Sequence, residues 1–240
     1  MTLRKWILAV LAVSAAVVFV SLGLWQLRRL DARREQNSFL AARRFAPEVT
    51  PDALTPDTAA ARFRRIRVRG VYDFSNEIIH TLRGRSGSPG VNILTPLRRA
   101  GNDTAILVNR GWVYAPDGIT VDTKQWREAD TLNGTGFVET FPTAGPFAPP
   151  NSARPRALRR LDRAALTRLF PYPIAHYYVV LAPPAPNVSR ATAGTTPAPA
   201  VPPRVEPAAL DEGPHRNYAV QWFSFAAISI IGIVIFIRRA

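Results

Sequence analysis

The stretch Ile7-Leu-Ala-Val-Leu-Ala-Val-Ser-Ala-Ala-Val-Val-Phe-Val-Ser-Leu-Gly-Leu24 decides the fold class, because none of its 18 residues carries a charge. As an α-helix it is about 27 Å long, close to the thickness of the hydrocarbon core of a bilayer. The alternative is a cleaved signal peptide, but the run is long for one and no small-x-small cleavage motif follows it. We therefore predict a retained transmembrane helix over residues 7–25.

A second uncharged run of 20 residues extends from Tyr218 to Ile237. As a helix it is about 30 Å long, and two arginines follow it. Aromatic residues lie at the ends of both runs, as in the interfacial belts of membrane proteins: Trp6, Trp25, Tyr218 and Trp222. Spans at 7–25 and 214–237 would put the tails, 1–6 and 238–240, on one side of the membrane. Long loops cross membranes largely regardless of their charge, so the sequence alone leaves open which side holds the intervening segment.

Between the spans the sequence changes its period. Residues 26–46 contain no glycine or proline and are predicted to extend the first helix. In the following segment apolar residues alternate with polar ones, which is typical of a β-strand. In Phe63–Tyr72 one face carries Ile66 and Val68, and the other carries Arg65, Arg67 and Arg69. We expect this basic face to be solvated, with contact to anionic lipid or a partner as the alternatives.

The segment 47–182 is predicted to form one small domain. Further strands are expected at 77–82, 91–97, 104–113, 132–140 and 177–181, and a helix at 161–170. The prediction is therefore an α+β membrane protein. Its two transmembrane helices flank a small, mostly antiparallel sheet or partial barrel with one or two helices. Residues 182–207 are rich in proline and alanine, so 183–213 is predicted to be an extended, hydrated tether without a function of its own.

Composition excludes several classes of site. The chain has no cysteine, which excludes disulfides, Cys-ligated zinc, iron–sulfur clusters and thiolate nucleophiles. The net charge is +14, and all basic residues except Lys5 and Lys124 are arginine. Such an excess can indicate nucleic acid, anionic lipid or anionic ligands, or reflect only the base composition of the genome. No RNA-binding aromatic motif accompanies it, so we expect no nucleic-acid partner. No phosphate loop, His-Glu-x-x-His or Gly-x-Ser-x-Gly motif is present, and we expect no enzymatic activity.

One histidine lies at the mouth of the second span. At helical spacing, His215 shares a face with Tyr218, Ala219 and Trp222, and it is followed by Arg216. Polar groups in a span are costly and usually face a partner helix or a ligand. An imidazole among aromatic rings can ligate a haem iron, and an arginine can pair with haem propionates. The alternative is an interfacial histidine that is wetted by lipid headgroups.

Three blocks of sequence occur together in a distinctive order. They are Gly23-x-Trp25-Gln26-Leu27-x-Arg29, then Gly90-x-x-x-x-Thr95-Pro96-Leu97 with Val108-Asn109-Arg110-Gly111-Trp112-Val113, then His215-x-x-Tyr218-Ala219-x-Gln221-Trp222-Phe223-x-x-Ala226. With a large loop between two spans, they resemble the Surfeit locus protein 1 family over nearly the whole chain. A small or apolar residue often stands in that family where this chain has Arg216, and the tether here is longer than usual.

The resemblance implies a bacterial assembly chaperone for haem-copper cytochrome c oxidase. Such a protein would lie in the cell inner membrane with its main domain in the periplasm. Its implied partners are oxidase subunit I, the haem a synthesis machinery and the lipid bilayer. The implied cofactor is haem a, with His215 as the ligand of its iron. The expected cofactor-binding residues are His215, Gly23, Trp25, Arg28, Arg29, Arg216, Tyr218 and Trp222. Gly23 would let the helices or the macrocycle approach closely.

A second hypothesis is a scaffold without a cofactor, whose spans pack on subunit I. Under this hypothesis the His215 block is a helix–helix interface. The Asn109-Arg110-Gly111-Trp112 block looks like a family signature, for which we expect a role in folding. Gly111 would permit a bend at the strand end, and Trp112 would anchor the domain against a helix or the membrane.

Overall fold

The computed structural model describes residues 3–54, 58–142, 153–183 and 201–238. The chain divides into two units, Met1–Ala42 with Ala209–Ala240, and Arg43–Ala208. The four helices are α1 Leu3–Arg44, α2 Thr58–Ala61, α3 Arg163–Thr167 and α4 His215–Arg238. The seven strands are β1 Arg65–Tyr72, β2 Ile78–His80, β3 Gly90–Arg99, β4 Asn102–Tyr114, β5 Thr131–Thr140, β6 Ala157–Leu158 and β7 Ile174–Leu181.

The first unit contains the two long helices α1 and α4. Both are long and apolar enough to cross a membrane, with mean hydropathy of 2.7 and 2.3 in their best windows. Only 11% and 6% of those windows are buried, whereas the core helix of a soluble protein would be mostly buried. Two long apolar helices therefore flank a sheet domain with few helices, which confirms the predicted fold class.

Small residues mark the contact between α1 and α4. The buried positions on α1 include Ala16, Gly23 and Leu30, which recur every seven residues, and those on α4 are Ala219 and Ala226 at the same spacing. Seven residues are two helical turns, so each set lies along one stripe of its helix. The small residues among them, Ala16, Gly23, Ala219 and Ala226, let two membrane helices approach closely.

The second unit is built on one sheet of seven strands, in the order β1-β5-β7-β4-β3-β2-β6. The strand β1 also pairs with β3, so five of the strands close into a ring. Most pairs are antiparallel, and the parallel ones among the described residues are β4 with β7 and β2 with β6. The alternation seen in the sequence places Ile66 and Val68 of β1 in the main core with no solvent exposure.

Three local predictions differ from the structure. The helix predicted at 161–170 covers only Arg163–Thr167, capped by the Asp162 carboxylate, which accepts a 3.0 Å hydrogen bond from the Ala165 amide. The strand β6 was not predicted, because two residues carry no periodic signal. The basic face of β1 is only partly free, since Arg65 and Arg67 each lie 2.8 Å from a carboxylate oxygen of Glu48.

The end of the predicted tether also differs from expectation. Residues 184–200 lie outside the described residues, but residues 201–208, here called the strap, lie against the sheet domain. Pro202 is buried, the carbonyl of Pro203 accepts a 2.9 Å hydrogen bond from the Trp112 amide, and Arg204 pairs with Glu128. The expectation of a hydrated chain is wrong for the strap, because its carbonyl and cation find partners on β4 and in the loop before β5.

Candidate functional site

A turn before α4 sets the position of His215, the first residue of that helix. Gly213 has a φ of +66°, a conformation that favours glycine, and its amide donates a 2.9 Å hydrogen bond to the Asp211 carboxylate. Pro214 then begins the helical turn, and its carbonyl accepts from the Tyr218 amide at 3.1 Å. The Gly-Pro pair therefore ends the preceding extended segment and starts the helix at the histidine.

The His215 side chain makes a direct hydrogen bond with α1. Its Nδ1 lies 2.8 Å from Oε1 of Gln26. Gln26 is 9% exposed and lies on the stripe of α1 that contains Gly23 and Leu30. With Oε1 as the acceptor, Nδ1 carries the proton and Nε2 keeps a lone pair. Among the residues that the structure describes, Nε2 has no hydrogen-bond partner, so it is the atom available to a metal.

Aromatic rings fill the helix contact next to this pair. The Phe223 ring lies against Gly23, where a Cβ would come within 2.6 Å of Cε1 of the ring. One turn along α1, Phe19 stacks on Trp222 with ring centroids 5.8 Å apart, and Phe225 lies 5.7 Å from Phe19. The Phe223 ring therefore occupies the space that a Cβ of Gly23 would fill. Of the two roles expected for Gly23, the structure shows the close approach of the helices, and the ring leaves no room there for a macrocycle.

Ion pairs tie the segment before α4 to α1. Arg34 donates two hydrogen bonds to the Glu212 carboxylate, at 2.7 and 3.1 Å. Arg33 and Asn37 donate to the carbonyl of Asp211 at 3.0 and 2.8 Å. The hydrogen bond from Arg34 lowers the pKa of Glu212, so this carboxylate stays charged at neutral pH. These contacts hold the start of the turn that precedes His215.

The structure brings together only part of the predicted site. His215 and Trp222 face α1, and Gly23 faces α4. Trp25 and Tyr218 are 51% and 46% exposed, and three arginines expected to meet propionates are also exposed: Arg28, Arg29 and Arg216. Gln26 was not predicted as a site residue. Its signal was available, since it is a polar residue at the end of the first span, three positions after Gly23 on the same helical stripe.

Comparison with known proteins decides the family. The model of the SURF1 family matches residues 13–227. The chain belongs to the SURF1 family. It is 28% identical to Surfeit locus protein 1 of Takifugu rubripes over 61% of this chain and 66% of that protein. It is also 26% identical to a SURF1-like protein of Monosiga brevicollis, over 94% of this chain and 85% of that protein. Surfeit locus protein 1 of Homo sapiens is 25% identical over 69% of this chain, which spans 59% of its length.

The Asn109–Trp112 block of this SURF1-family chain contains a buried charge. Arg110 has no solvent exposure, and its guanidinium donates to Glu77 at 2.6 Å and to Glu128 at 3.2 Å. It also donates to the Thr95 hydroxyl at 2.8 Å and to the Trp126 carbonyl at 2.6 Å. We call Arg110, Glu77, Glu128 and Thr95 the Arg110 cluster. It joins β3 and β4 to the loops that follow β1 and precede β5.

A β-bulge explains why this arginine points inward. The register shifts between Ile93 opposite Gly111 and Leu94 opposite Asn109, which leaves Arg110 as the extra residue. A bulge redirects a side chain out of the normal alternation of a strand. Gly111 has a φ of +150°, and a Cβ there would lie 2.5 Å from the Pro203 carbonyl oxygen, so glycine is needed both for the bend and for the strap.

Trp112 contacts the domain itself. Its indole Nε1 donates a 2.6 Å hydrogen bond to the Arg83 carbonyl, and its ring occupies the space that a side chain at Gly90 would fill. The expected anchoring of Trp112 against a helix or the membrane is therefore replaced by packing within the sheet domain. Among the described residues, no group of three or more His, Asp or Glu side chains could hold a metal ion.

Proposed function

We propose that this chain is a membrane-bound assembly factor for haem-copper cytochrome c oxidase that binds haem a and assists its insertion into subunit I. The observation that supports this most strongly is the geometry of His215 in a SURF1-family chain. The imidazole lies at the start of an apolar helix, its Nδ1 lies 2.8 Å from Oε1 of Gln26, and with Nδ1 as the donor its Nε2 keeps a lone pair. A histidine held in this way would bind haem iron through Nε2.

The residues around His215 fit a haem in three respects. The ligand atom would be an imidazole nitrogen, which is a common ligand of haem iron. Trp222 supplies an apolar aromatic surface on the same helical face. The exposed cations Arg28, Arg29 and Arg216 would neutralise propionates, whereas Arg33 and Arg34 are hydrogen-bonded to the acidic segment before α4. The haem would supply redox chemistry only after transfer, so this chain's residues need only bind it, orient it and release it.

In this proposal the two apolar helices anchor the chain in a bacterial inner membrane. The sheet domain lies on the periplasmic side, and His215 lies near that face because it is the first residue of α4. The protein meets subunit I and the haem a synthesis machinery there, and it needs no turnover chemistry of its own. Support for the membrane location comes from the length and hydropathy of α1 and α4.

The proposal is tested by purifying the protein in detergent after co-expression with haem a synthesis enzymes. Visible spectra and the haem-to-protein ratio are recorded for the wild type, His215→Ala and His176→Ala. His176 is a matched control, because it is an exposed histidine of β7 that contacts Arg163. We expect haem in the wild type and the control, and its loss or a shifted spectrum in His215→Ala. Haem absent from all three, or unchanged in His215→Ala, would overturn the proposal.

The cofactor-free scaffold remains the second candidate, and one observation favours it. The His215–Gln26 hydrogen bond directly links α4 to α1, and polar pairs of this kind hold membrane helices together without any ligand. A scaffold predicts that both His215→Ala and His215→Gln fold less stably but still support oxidase assembly in proportion to the amount of protein in the membrane.

A further inference from the structure

We propose that Gln26 is a positioning residue that fixes the tautomer of His215 and so directs the Nε2 lone pair to the haem iron. This inference rests on the proposed function, because it assigns a second residue to the same ligand. In this role Gln26 does not contact the iron but acts through His215. Gln26 belongs to the first of the three sequence blocks, and this role gives that residue a chemical function.

The environment of the Gln26 amide favours a hydrogen bond. Gln26 is nearly buried in the contact between α1 and α4, although most of its neighbours on α1 are apolar. A buried amide without a partner destabilises a fold, so Gln26 is expected to keep its hydrogen bond. Its Oε1 meets Nδ1 of His215 at 2.8 Å, across a sequence separation of 189 residues.

The position of the proton on the His215 imidazole decides which nitrogen can bind a metal. A neutral imidazole carries its proton on one nitrogen and can bind a metal only through the other. The amide oxygen can only accept, so with Oε1 facing Nδ1, as in the structure, the hydrogen bond is made by the form with the proton on Nδ1. An amide turned by 180° would instead donate from its NH2 group to Nδ1 and favour the other form, so the tautomer of His215 reports which way Gln26 is held. Hydrogen-bonded partners of this kind fix the orientation of a metal-binding histidine and raise its basicity, and their loss costs about 10- to 100-fold in affinity.

The side chain of Gln26 is also held in place by its backbone. Gly23 packs against Phe223 one turn earlier, and Leu30 is buried one turn later, so α1 presents position 26 to α4 by the rigidity of the helix. A glutamate at this position would still accept from Nδ1, whereas a methionine of similar length would not. These two substitutions therefore separate hydrogen bonding from packing.

The first test uses haem-free protein in detergent micelles with ¹⁵N-labelled histidine. Nuclear magnetic resonance distinguishes the two tautomers, and the His215 signals are assigned by their absence in His215→Ala. We expect wild-type His215 with its proton on Nδ1, and a shift toward the Nε2-protonated form in Gln26→Met. A wild-type His215 that is protonated on Nε2 overturns the inference without reference to any variant.

The second test measures haem binding. We expect about 10- to 100-fold weaker binding in Gln26→Met and recovery in Gln26→Glu, which also lowers the reduction potential of the bound iron because its stronger acceptor makes the imidazole more basic. Gln221→Met is the matched control, since Gln221 is exposed on α4. Loss of haem in His215→Ala together with wild-type affinity and tautomer in Gln26→Met would refute the role of Gln26 alone. Retention of haem in His215→Ala would refute the proposed function instead.

Discussion

Replacement of Arg110 by methionine should strongly destabilise the sheet domain. The guanidinium is fully buried and donates hydrogen bonds to two carboxylates, a hydroxyl and a backbone carbonyl. Methionine fills a similar volume but removes the cation that pairs with Glu77 and Glu128. The side chains of these two glutamates are only 8% and 13% exposed. A carboxylate that loses its cation in such surroundings must either stay charged without compensation or take up a proton.

The size of the effect follows from this burial. Removal of one partner of a buried ion pair costs about 3–5 kcal/mol of unfolding free energy. Arg204 still pairs with Glu128 in the variant, so the greater part of the loss falls on Glu77 and Thr95. With an urea dependence of about 2–3 kcal/mol/M, we expect the unfolding midpoint to fall by about 1–2 M.

The matched control is Arg127→Met. Arg127 pairs with Asp130 at 3.0 Å, but both side chains are mostly exposed, at 58% and 69%. Exposed pairs contribute about 0–1 kcal/mol, so this variant should unfold close to the wild type. The assay is urea unfolding of the full chain in detergent, followed by tryptophan fluorescence. Equal midpoints for the two variants, or a loss under about 1 kcal/mol for Arg110→Met, would refute the claim that the Arg110 cluster holds the domain together.

Three further predictions concern the helix contact, the strap and the partly buried His80. Gly23→Val should separate α1 from α4, because the valine side chain would overlap the Phe223 ring. Trp222 would then stack less closely on Phe19, and we expect its fluorescence to be less quenched. Gly111→Ala should displace the strap and speed hydrogen exchange of the Trp112 amide, whereas unchanged exchange would contradict the contact with Pro203. Burial lowers the pKa of His80 to about 4 from its ordinary 6.5. The unfolded chain therefore binds the proton first as pH falls, so unfolding free energy should drop between pH 6.5 and 4 by at most about 3 kcal/mol, and His80→Gln should reduce that drop in pH-dependent urea titrations.

The parts of the fold that could be predicted rest on local signals. An uncharged run of about 20 residues identifies a span because its chemistry is sufficient by itself. Alternation along Phe63–Tyr72 identifies a strand and its buried face for the same reason. Both signals can be recognised without knowing which other segments pack against these residues. The structure contains the long helices and the sheet that they predict.

The parts that could not be predicted depend on contacts distant in sequence. The inward direction of Arg110 follows from a bulge whose register is set by β3, and its acidic partners come from separate loops. The proline-rich composition of the strap predicts a hydrated tether. In the structure, an ion pair with Glu128 and a hydrogen bond from the Trp112 amide of β4 hold the strap on the sheet. The composition of a segment predicts its conformation in isolation. It does not reveal hydrogen-bond or ion-pair partners that lie in other segments.

The candidate site shows the same limit. The positions of His215 and Gln26 at the ends of the two spans are visible in the sequence, but their pairing is not, since nothing local links two residues 189 positions apart. Helical spacing from His215 predicts Tyr218 as a site residue, and Trp25 is expected to flank the haem from the end of the first span, but both are exposed. Helical geometry turns them away from the contact between α1 and α4, and the prediction that they bind a cofactor has yet to be tested.

The central claim is that His215 serves haem delivery to the oxidase. The most direct measurement is the haem a content of purified oxidase subunit I from a strain that lacks this gene and is complemented with His215→Ala or with His176→Ala. Both variants must be present in the membrane at equal amounts. The account predicts subunit I deficient in haem a with His215→Ala and fully loaded with His176→Ala. Equal, full haem content with both variants would contradict it and favour the cofactor-free scaffold.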